Sequence, residues 1–466
     1  MKKNAVIILL SVLFSVPSFS ITPAQATLDS IVVNCLPNGT DAAIMVYDLT
    51  SDETVYALRE NVMCRPASVQ KIVTSIVAMN TLGPDFQFKT RLEMRGELKP
   101  DGTLDGDIYL VGGLDPALTS LELKQMALDL RNSGVRRIDG TLYADVSMMD
   151  SISWGPGWSW DDAPLSYQPF VSALMTDEGC MRVQVVPTQK GKPSNVLLFP
   201  SNRFINVINN SVSNDKSAGP LEMDYDWLQC NNTVRIRGNV TKAQSKSFSM
   251  RSSQDFVFSL FREYLDDCNI VYHEYGYGKC PLVTSTVSVV SHPLSQIVRQ
   301  TLKESDNLYA ECMFLRSAAF RTGQQIGFTQ ASEYMRQFVD RKFGFDSHCL
   351  NIVDGSGLSM YDFMTPRFIT DMLTLAYKDK TVFDTFYDSL PVSGMDGTLK
   401  SRMSDKSSIG RIHAKTGSVT GACTLAGYVQ TQSGHTLVFA ILNSGAVKMA
   451  PSRKFQDAFC EALTRL

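Results

Sequence analysis

The sequence has little net charge, few histidines and no long hydrophobic run beyond its first residues. Its 44 Lys and Arg against 47 Asp and Glu give a net charge of −3 at pH 7 over 466 residues, which indicates no basic surface for nucleic acid. The five histidines are scattered, and no Cys/His cluster has zinc spacing, so we expect neither a metal site nor another cofactor. Internal repeats and low-complexity tracts are also absent. These absences leave a folded protein whose chemistry rests on ordinary side chains.

The first residues predict a signal peptide over residues 1–26. Two lysines precede an apolar stretch from Ala5 to Val16, and Ala24-Gln25-Ala26 predicts cleavage after Ala26. The apolar stretch is too short to span a membrane, and no lipid-attachment pattern precedes Cys35. We therefore expect an exported, periplasmic protein without a firm membrane anchor. The mature chain of about 440 residues corresponds to two or three domains.

All ten cysteines follow the predicted cleavage site, so we expect some disulfides in an oxidising compartment. Cys268 with Cys280, and Cys180 with Cys230, are the local pairs we expect, although spacing alone does not fix connectivity. Three others lie in apolar helix or strand patterns and are expected to be small core residues: Cys312, Cys423 and Cys460.

A Ser-x-x-Lys motif lies at the start of a predicted helix. Residues 43–56 alternate like a strand, Pro66 suits the first helical turn, and apolar residues then recur at helical spacing until Gly83. Ser68 is therefore expected in the first turn, where backbone N–H groups are unpaired. Lys71, three residues later, lies on the same face of the helix.

Two further motifs follow in order. Ser305-Asp306-Asn307 lies between helical patterns over 293–303 and 307–320, and Lys415-Thr416-Gly417 ends a strand pattern that starts at Ile412. Two more strand patterns and a closing amphipathic helix complete the chain, over 423–430, 436–442 and 451–466. That helix is short and not notably basic, so we expect it to pack on a sheet and not on a membrane.

Residues between about 90 and 285 differ from the rest of the chain in their sequence pattern, which consists of short alternating segments and turns rich in Gly, Asn and Ser. Because this stretch separates the first motif from the second, we interpret it as an insertion into a catalytic domain of α+β class. Within it, residues 209–216 are expected to form a surface loop.

The three motifs together can support acyl transfer by a serine nucleophile. A serine hydroxyl needs a base, and Lys71 can serve only if burial or a nearby cation lowers its pKa from about 10.4. Our hypothesis is that Lys71 is the base and that Lys415 stays charged to hold a substrate carboxylate. Ser305 would relay a proton to the leaving amine, and Asn307 would orient Lys71 and bind the substrate amide.

The oxyanion formed in such a reaction needs two fixed donors. The candidates are the backbone N–H groups of Ser68 and Ser418. Taken singly, Ser305-Asp306-Asn307 is more typical of a helix cap, and Lys415-Thr416-Gly417 of a solvated strand end. Only their occurrence together and in this order favours catalysis.

With these three motifs in this order, the chain resembles the class C low-molecular-weight penicillin-binding proteins of the penicillin-binding protein 4 type. The resemblance covers essentially the whole mature chain and includes motifs outside the three triplets, namely residues 112–118, 134–145, 156–162, 354–359 and 396–399. It implies a penicillin-recognising serine transpeptidase/β-lactamase-like catalytic domain with a large β-rich insertion that carries a second domain nested in it.

The domain boundaries that follow from the resemblance are residues 27–90 and 286–466 for the catalytic domain, 91–180 and 241–285 for the inserted domain II, and 181–240 for the nested domain III. The family also implies serine-type D-Ala-D-Ala carboxypeptidase or endopeptidase activity on peptidoglycan peptides, with β-lactam antibiotics as covalent inhibitors. Which of the two activities dominates, and the oligomeric state, are left open.

The resemblance implies further substrate-binding residues. Lys415, Thr416, Gly417 and Ser418 belong to the strand that would receive the terminal carboxylate, while Asp162, Tyr167 and Thr420 match the pocket for the diamino-acid side chain. One position departs, because Met360 stands where the family usually carries an arginine that binds the free carboxylate of meso-diaminopimelate.

Two other functions remain open at this stage. A β-lactamase shares the three motifs, but no clear Glu-x-x-x-Asn element is present to activate the deacylating water. A catalytically silent wall-binding scaffold is the second alternative, and the intact nucleophile and lysines argue against it.

Overall fold

The computed structural model describes residues 22–344 and 350–466. The apolar part of the predicted signal peptide and Cys349 lie outside the described residues. The predicted cleavage point after Ala26 falls within the first described helix, α1 (Pro23–Cys35), which Thr22 caps.

A five-stranded antiparallel sheet forms the first part of the fold, in the order β15-β16-β17-β1-β2. Its central strands are buried along almost their whole length because helices cover both faces. Its strands are β1 (Asp41–Asp48), β2 (Glu53–Leu58), β15 (Ile412–Val419), β16 (Gly421–Gln430) and β17 (Thr436–Ala446). The single strand pattern over 43–56 is therefore a hairpin of β1 and β2. In its turn the Asp48 carboxylate accepts from Thr50 N and Ser51 Oγ.

One face of this sheet packs on α1 and α10 (Met449–Thr464), where Leu28, Phe455 and Phe459 join the core. The prediction that the closing helix packs on a sheet is confirmed. The other face packs on a helical layer that contains α2 (Gln70–Leu82), which is buried on nearly every side. The remaining helices of this layer are α5 (Leu294–Lys303), α6 (Asn307–Thr322), α7 (Phe328–Phe343), α8 (Pro366–Lys378) and α9 (Lys380–Ser389).

A second sheet has the order β13-β6-β4-β3-β14, with β5 paired to β4, and its core is closed by α3 (Ser120–Asn132) and α4 (Ser253–Asp267). Strands β3 and β14 pair antiparallel, so Gln87 faces Pro293 where the chain leaves and rejoins the helical layer. The strands are β3 (Gln87–Leu98), β4 (Thr103–Val111), β5 (Arg137–Ile138), β6 (Thr141–Asp145), β13 (Glu274–Tyr277) and β14 (Ser285–Pro293).

Two three-stranded sheets share a further core, in the orders β12-β7-β8 and β10-β11-β9. Their strands are β7 (Cys180–Val186), β8 (Asn195–Phe199), β9 (Asn206–Ser213), β10 (Glu222–Tyr225), β11 (Thr233–Val240) and β12 (Gln244–Ser249). The loop predicted over 209–216 is therefore wrong for its first five residues. The polar composition of β9 is typical of a loop, so the sequence did not indicate a strand. In the structure Asn209 and Ser211 form hydrogen bonds to each other and to Ser194.

The expected disulfides are absent from the described part of the chain, where all nine cysteines are free thiols. Cys180 Sγ and Cys230 Sγ are directed at different backbone carbonyls, those of Ser166 and Leu228. Likewise Cys268 ends α4 in a buried position, whereas Cys280 Sγ faces the Pro281 carbonyl. The prediction of buried thiols is confirmed for Cys312, Cys423 and Cys460. In residues 22–344 and 350–466, no helix has both the length and the apolar character needed to cross a membrane.

Candidate active site

Ser68 lies in a tight helical turn, Ala67–Val69, directly before α2. Pro66 fits this turn because its φ of −74° is helical. Ala67 adopts a φ of +48°, a strained conformation for a residue with a side chain. Gly357 packs against the Ala67 carbonyl and leaves no room there for a Cβ atom. Contacts from a distant loop therefore hold the backbone at Ser68.

Lys71 contacts the serine and is completely buried. Its Nζ lies 3.0 Å from Ser68 Oγ, 2.6 Å from Asn307 Oδ1 and 2.8 Å from the Ser356 carbonyl oxygen. Burial lowers the pKa of Lys71 to about 8, although nearby carboxylates, Asp354 foremost, oppose the shift. A lysine with this pKa is neutral often enough near neutral pH to accept a proton.

The second motif forms the short connection between α5 and α6, as the sequence predicts. Asp306 caps α6 by accepting from Tyr309 N at 3.1 Å, and Ser305 has a φ of +62°. This bend directs Ser305 Oγ to Lys415 Nζ, 2.7 Å away. Asn307 Nδ2 donates to the Tyr167 carbonyl at 2.7 Å, so its amide bridges Lys71 and the predicted substrate pocket.

Lys415 is also completely buried, on strand β15. Besides Ser305 it contacts the carbonyl of Thr416 at 2.8 Å, while Thr416 Oγ1 donates to Thr398 Oγ1 at 2.8 Å. Burial, and then repulsion by Lys71, hold the pKa of Lys415 well below its ordinary value. The nearby carboxylates that favour a cation, Asp354 foremost, act on Lys71. That Lys415 stays charged to hold a substrate carboxylate stays a prediction.

Strand β15 passes directly beside the nucleophile. A Cβ atom on Gly417 would stand 2.9 Å from both Ser68 N and the Pro66 carbonyl oxygen. Thr424 Oγ1 on the neighbouring strand donates to the Pro66 carbonyl at 2.7 Å. Glycine at 417 thus permits the close approach that brings Ser418 to the same region as the Ser68 backbone N–H.

The open cleft beside Ser68 has a volume of about 590 Å³. The predicted substrate residues Asp162, Tyr167 and Thr420 line it, and Tyr167 OH donates to Asp162 Oδ1 at 2.6 Å. Ser68, Ser305, Asn307 and Ser418 line it too. Lys71, Lys415, Thr416 and Gly417 lie behind this surface, so the structure brings every predicted site residue together.

Two buried carboxylates, Glu311 and Asp354, hold the loop that contacts Lys71, and the sequence analysis singled out only Asp354, as part of the motif over 354–359. Glu311 accepts from Gly355 N at 2.8 Å and Ser356 N at 2.9 Å. Asp354 accepts from Gly357 N at 2.7 Å and from the indole Nε1 of Trp158 at 2.8 Å. Burial, and then the charge of Asp354, raise the pKa of Glu311 to about 8. Glu311 lies on α6, four residues after Asn307 and among apolar residues. A carboxylate at such a position was the signal in the sequence that could have indicated a role for Glu311.

These contacts amount to a serine nucleophile, two buried amines and a strand edge beside the nucleophile's backbone. Among the residues that the structure describes, no group of His, Cys, Asp and Glu side chains is placed to hold a metal ion. The fold and the site define the class of penicillin-recognising serine acyl-transferases.

Comparison with known proteins identifies the family within this class. The model of the D-Ala-D-Ala carboxypeptidase 3 (S13) family matches residues 24–466, and the chain belongs to this family and is a serine hydrolase. A D-alanyl-D-alanine carboxypeptidase of Actinomadura sp. (strain R39) is 30% identical over 463 residues, covering 95% of this chain and 85% of the relative. The carboxypeptidase DacB of Haemophilus influenzae is 24% identical over 448 residues, covering 94% and 91%.

The fold is likewise shared with a solved structure. The crystal structure of penicillin binding protein 4 from Haemophilus influenzae superposes with a TM-score of 0.83 at 22% identity, covering 94% of this chain and 99% of that chain. The predicted resemblance and the predicted α+β fold class are both confirmed.

Proposed function

We propose that this protein hydrolyses the D-Ala-D-Ala bond of peptidoglycan stem peptides, and cross-links of the same chirality, through an acyl-enzyme on Ser68. The observation that carries the proposal is the 3.0 Å contact between Ser68 Oγ and the buried Nζ of Lys71. Family membership and the carboxypeptidase names of the relatives support the substrate class.

In the acylation step, Ser68 Oγ attacks the carbonyl carbon of the penultimate D-Ala and its proton passes to neutral Lys71 Nζ. The C–N bond then breaks, and the leaving amine of the terminal D-Ala receives that proton through Ser305, which leaves Lys71 neutral again. In the second step water attacks the ester carbon and gives a proton to Lys71 Nζ. The bond between that carbon and Ser68 Oγ then breaks, Ser68 Oγ takes the proton back from Lys71, and the product leaves with a new carboxyl group. The N–H groups of Ser68 and Ser418 stabilise the oxyanion in both steps; the close approach of Gly417 to Ser68 N supports this pairing.

The two lysines work as a coupled pair in this proposal. Each amine disfavours the charged form of the other, so a proton on Lys415 favours a neutral Lys71. The carboxylate of the terminal D-Ala, held by Lys415, Thr416 and Ser418, favours the charged form of Lys415. Substrate binding thereby favours the predicted division, with Lys415 as the cation and Lys71 as the base.

The remaining site residues bind the rest of the substrate. Asn307 holds Lys71 through its Oδ1 and offers its Nδ2 to the substrate amide. Asp162, Tyr167 and Thr420 line the place for the diamino-acid side chain, where the carboxylate of Asp162 suits an ammonium group. β-Lactams acylate the same serine; the penicillin binding protein 4 of Haemophilus influenzae has been solved in complex with a β-lactam.

An enzyme of peptidoglycan acts outside the cytoplasmic membrane. We propose the periplasm as the finer location, reached through a signal peptide cleaved after Ala26, with no firm membrane anchor and no nucleic-acid partner. We also propose the division into a catalytic domain, domain II and a nested domain III. The separate hydrophobic cores of the five-stranded sheet, the β3–β14 sheet and the two small sheets support it.

The test is labelling of the purified protein with a fluorescent penicillin, followed for hours, together with release of D-Ala from a peptide ending in D-Ala-D-Ala. We expect a persistent covalent label and D-Ala release in the parent, and neither in Ser68→Ala. The exposed serine variant Ser201→Ala is the matched control and should behave like the parent. Rapid loss of the label would favour a β-lactamase, while absent labelling, or labelling that survives Ser68→Ala, would refute the proposed site.

A further inference from the structure

The motif over 396–399 lies beside β15 in the structure. Thr416 Oγ1 on β15 donates to Thr398 Oγ1 at 2.8 Å. The chain just before the motif is joined to β15 through its backbone, because Ala414 N donates to the Pro391 carbonyl at 2.9 Å. The segment that contains this motif therefore runs along the strand that carries the second buried amine of the active site.

An ion pair joins the same motif to α5. Lys303 Nζ lies 2.7 Å and 2.6 Å from the two carboxylate oxygens of Asp396 and 2.6 Å from the Leu390 carbonyl oxygen. All three N–H donors of this ammonium are therefore used, and the Lys303 side chain is only 7% exposed. The backbones are also close, since a Cβ atom on Gly397 would stand 2.8 Å from the Lys303 carbonyl oxygen.

The end of α5 leads directly into the second catalytic motif. Ser305 follows Lys303 by two residues, and its φ of +62° directs Oγ to Lys415 Nζ, 2.7 Å away. The Lys303–Asp396 pair and the Ser305–Lys415 contact thus join the same two parts of the site, the end of α5 and strand β15. Because a buried charge that loses its partner is strongly destabilising, the ion pair opposes any shift between these two parts.

We propose that Lys303 and Asp396 are positioning residues for Ser305, which keep its hydroxyl where it can pass a proton to the leaving amine. This inference rests on the proposed function. The nitrogen of an amide has to gain a proton as the C–N bond breaks, and a displacement of about 1 Å can cost about a hundredfold in rate. Neither Lys303 nor Asp396 lines the cleft beside Ser68, so they act through Ser305 and not on the substrate.

The experiment compares two substrates that differ only in the leaving group: a peptide that ends in D-Ala-D-Ala, and its thioester, in which sulfur replaces the nitrogen of the bond that is cleaved. A thiolate can leave without a proton, because the pKa of a thiol is about 8.5, whereas an amine cannot. In Lys303→Met we expect kcat/KM to fall about ten- to a hundredfold for the amide and less than about threefold for the thioester. Asp396→Asn keeps the shape of the side chain and should show the same selective loss.

Ser305→Ala is the reference for this pattern. It should show the same selective loss, and adding Lys303→Met to it should cause no further loss on the amide, because both changes act on one proton transfer. The matched control is Lys99→Met, which breaks an exposed pair with Asp105 at 3.2 Å and should cleave both substrates like the parent. Thermal melting reports the fold of each variant. If Lys303→Met does not fold, Asp396→Asn decides, since its side chain is 43% exposed.

The possible failures are distinguishable. If kcat/KM in the Lys303 and Asp396 variants falls equally for both substrates, or does not fall for the amide, the positioning role is overturned and the peptidase function stands. An equal loss on both substrates in Ser305→Ala would overturn the role as well, because Ser305 would then not serve the leaving amine. If the parent cleaves neither substrate, the proposed function and this inference both fail.

Discussion

Lys71 shows how one buried amine can serve as a base at neutral pH. An ammonium loses hydration when it is buried, and the carboxylates nearby restore only part of that stabilisation. The base therefore depends on its surroundings: remove the burial and Lys71 becomes an ordinary surface cation. The same residue also holds Asn307 and the Ser356 carbonyl, so its position and its protonation are set by the same contacts.

The pKa of Lys71 predicts the pH dependence of acylation. Because only the neutral amine accepts the proton of Ser68, the acylation rate should rise with pH through about 8 and level off above it. The measurement is the second-order rate of acylation by a slow β-lactam between pH 6 and 10. Lys71→Arg keeps a cation that cannot act as a base and should lower this rate at least a hundredfold across the range. A rate independent of pH in the parent would contradict the assignment of Lys71.

At the scale of elements, the site depends on β15 running against the turn that carries Ser68. Gly417→Ala should lower the rate of β-lactam acylation at least tenfold, since a Cβ there would stand 2.9 Å from Ser68 N and even closer to Thr424 Oγ1. The matched control is Gly276→Ala on β13, where a Cβ meets no atom within 4 Å, and its acylation rate should equal the parent's. Thermal melting of both variants separates a local shift from loss of the fold. An unchanged acylation rate in Gly417→Ala would show that the close approach is not required.

The sequence could predict the elements that carry the three motifs because each has a local signal. Proline and apolar spacing predict the Ser68 helix, and two helical patterns bracket Ser305-Asp306-Asn307. The contact between Arg65 and Met360 has no such signal, since the two residues are 295 positions apart. Likewise, spacing alone suggested disulfides that the structure does not form, because cysteines close in sequence lie on elements that point their thiols to different neighbours.

At the scale of the whole molecule, the nine described cysteines should be free thiols, and burial should decide how fast each reacts with an alkylating agent. In the native protein, alkylation should modify the exposed Cys35 and Cys230 first. Burial raises the pKa of Cys312 and Cys460 well above the ordinary value, which keeps these thiols protonated and unreactive. Mass spectrometry of tryptic peptides checks this order, and a reducing agent should leave Tm unchanged. A lower Tm after reduction would reveal a disulfide and contradict the structure.

The pairing of β1 with β17 has a consequence for the time at which activity can begin. Asp41 faces Ser444 in this ladder, so β1 has no partner on this side until the ribosome has made β17. Strand β15, which supplies Lys415, likewise joins only through β16 and β17. A growing chain can complete the sheets between residues 87 and 293 while its nucleophile still lacks a finished site. Catalytic competence is thus delayed until β17 has emerged, and a chain cut short before β17 cannot become a peptidase.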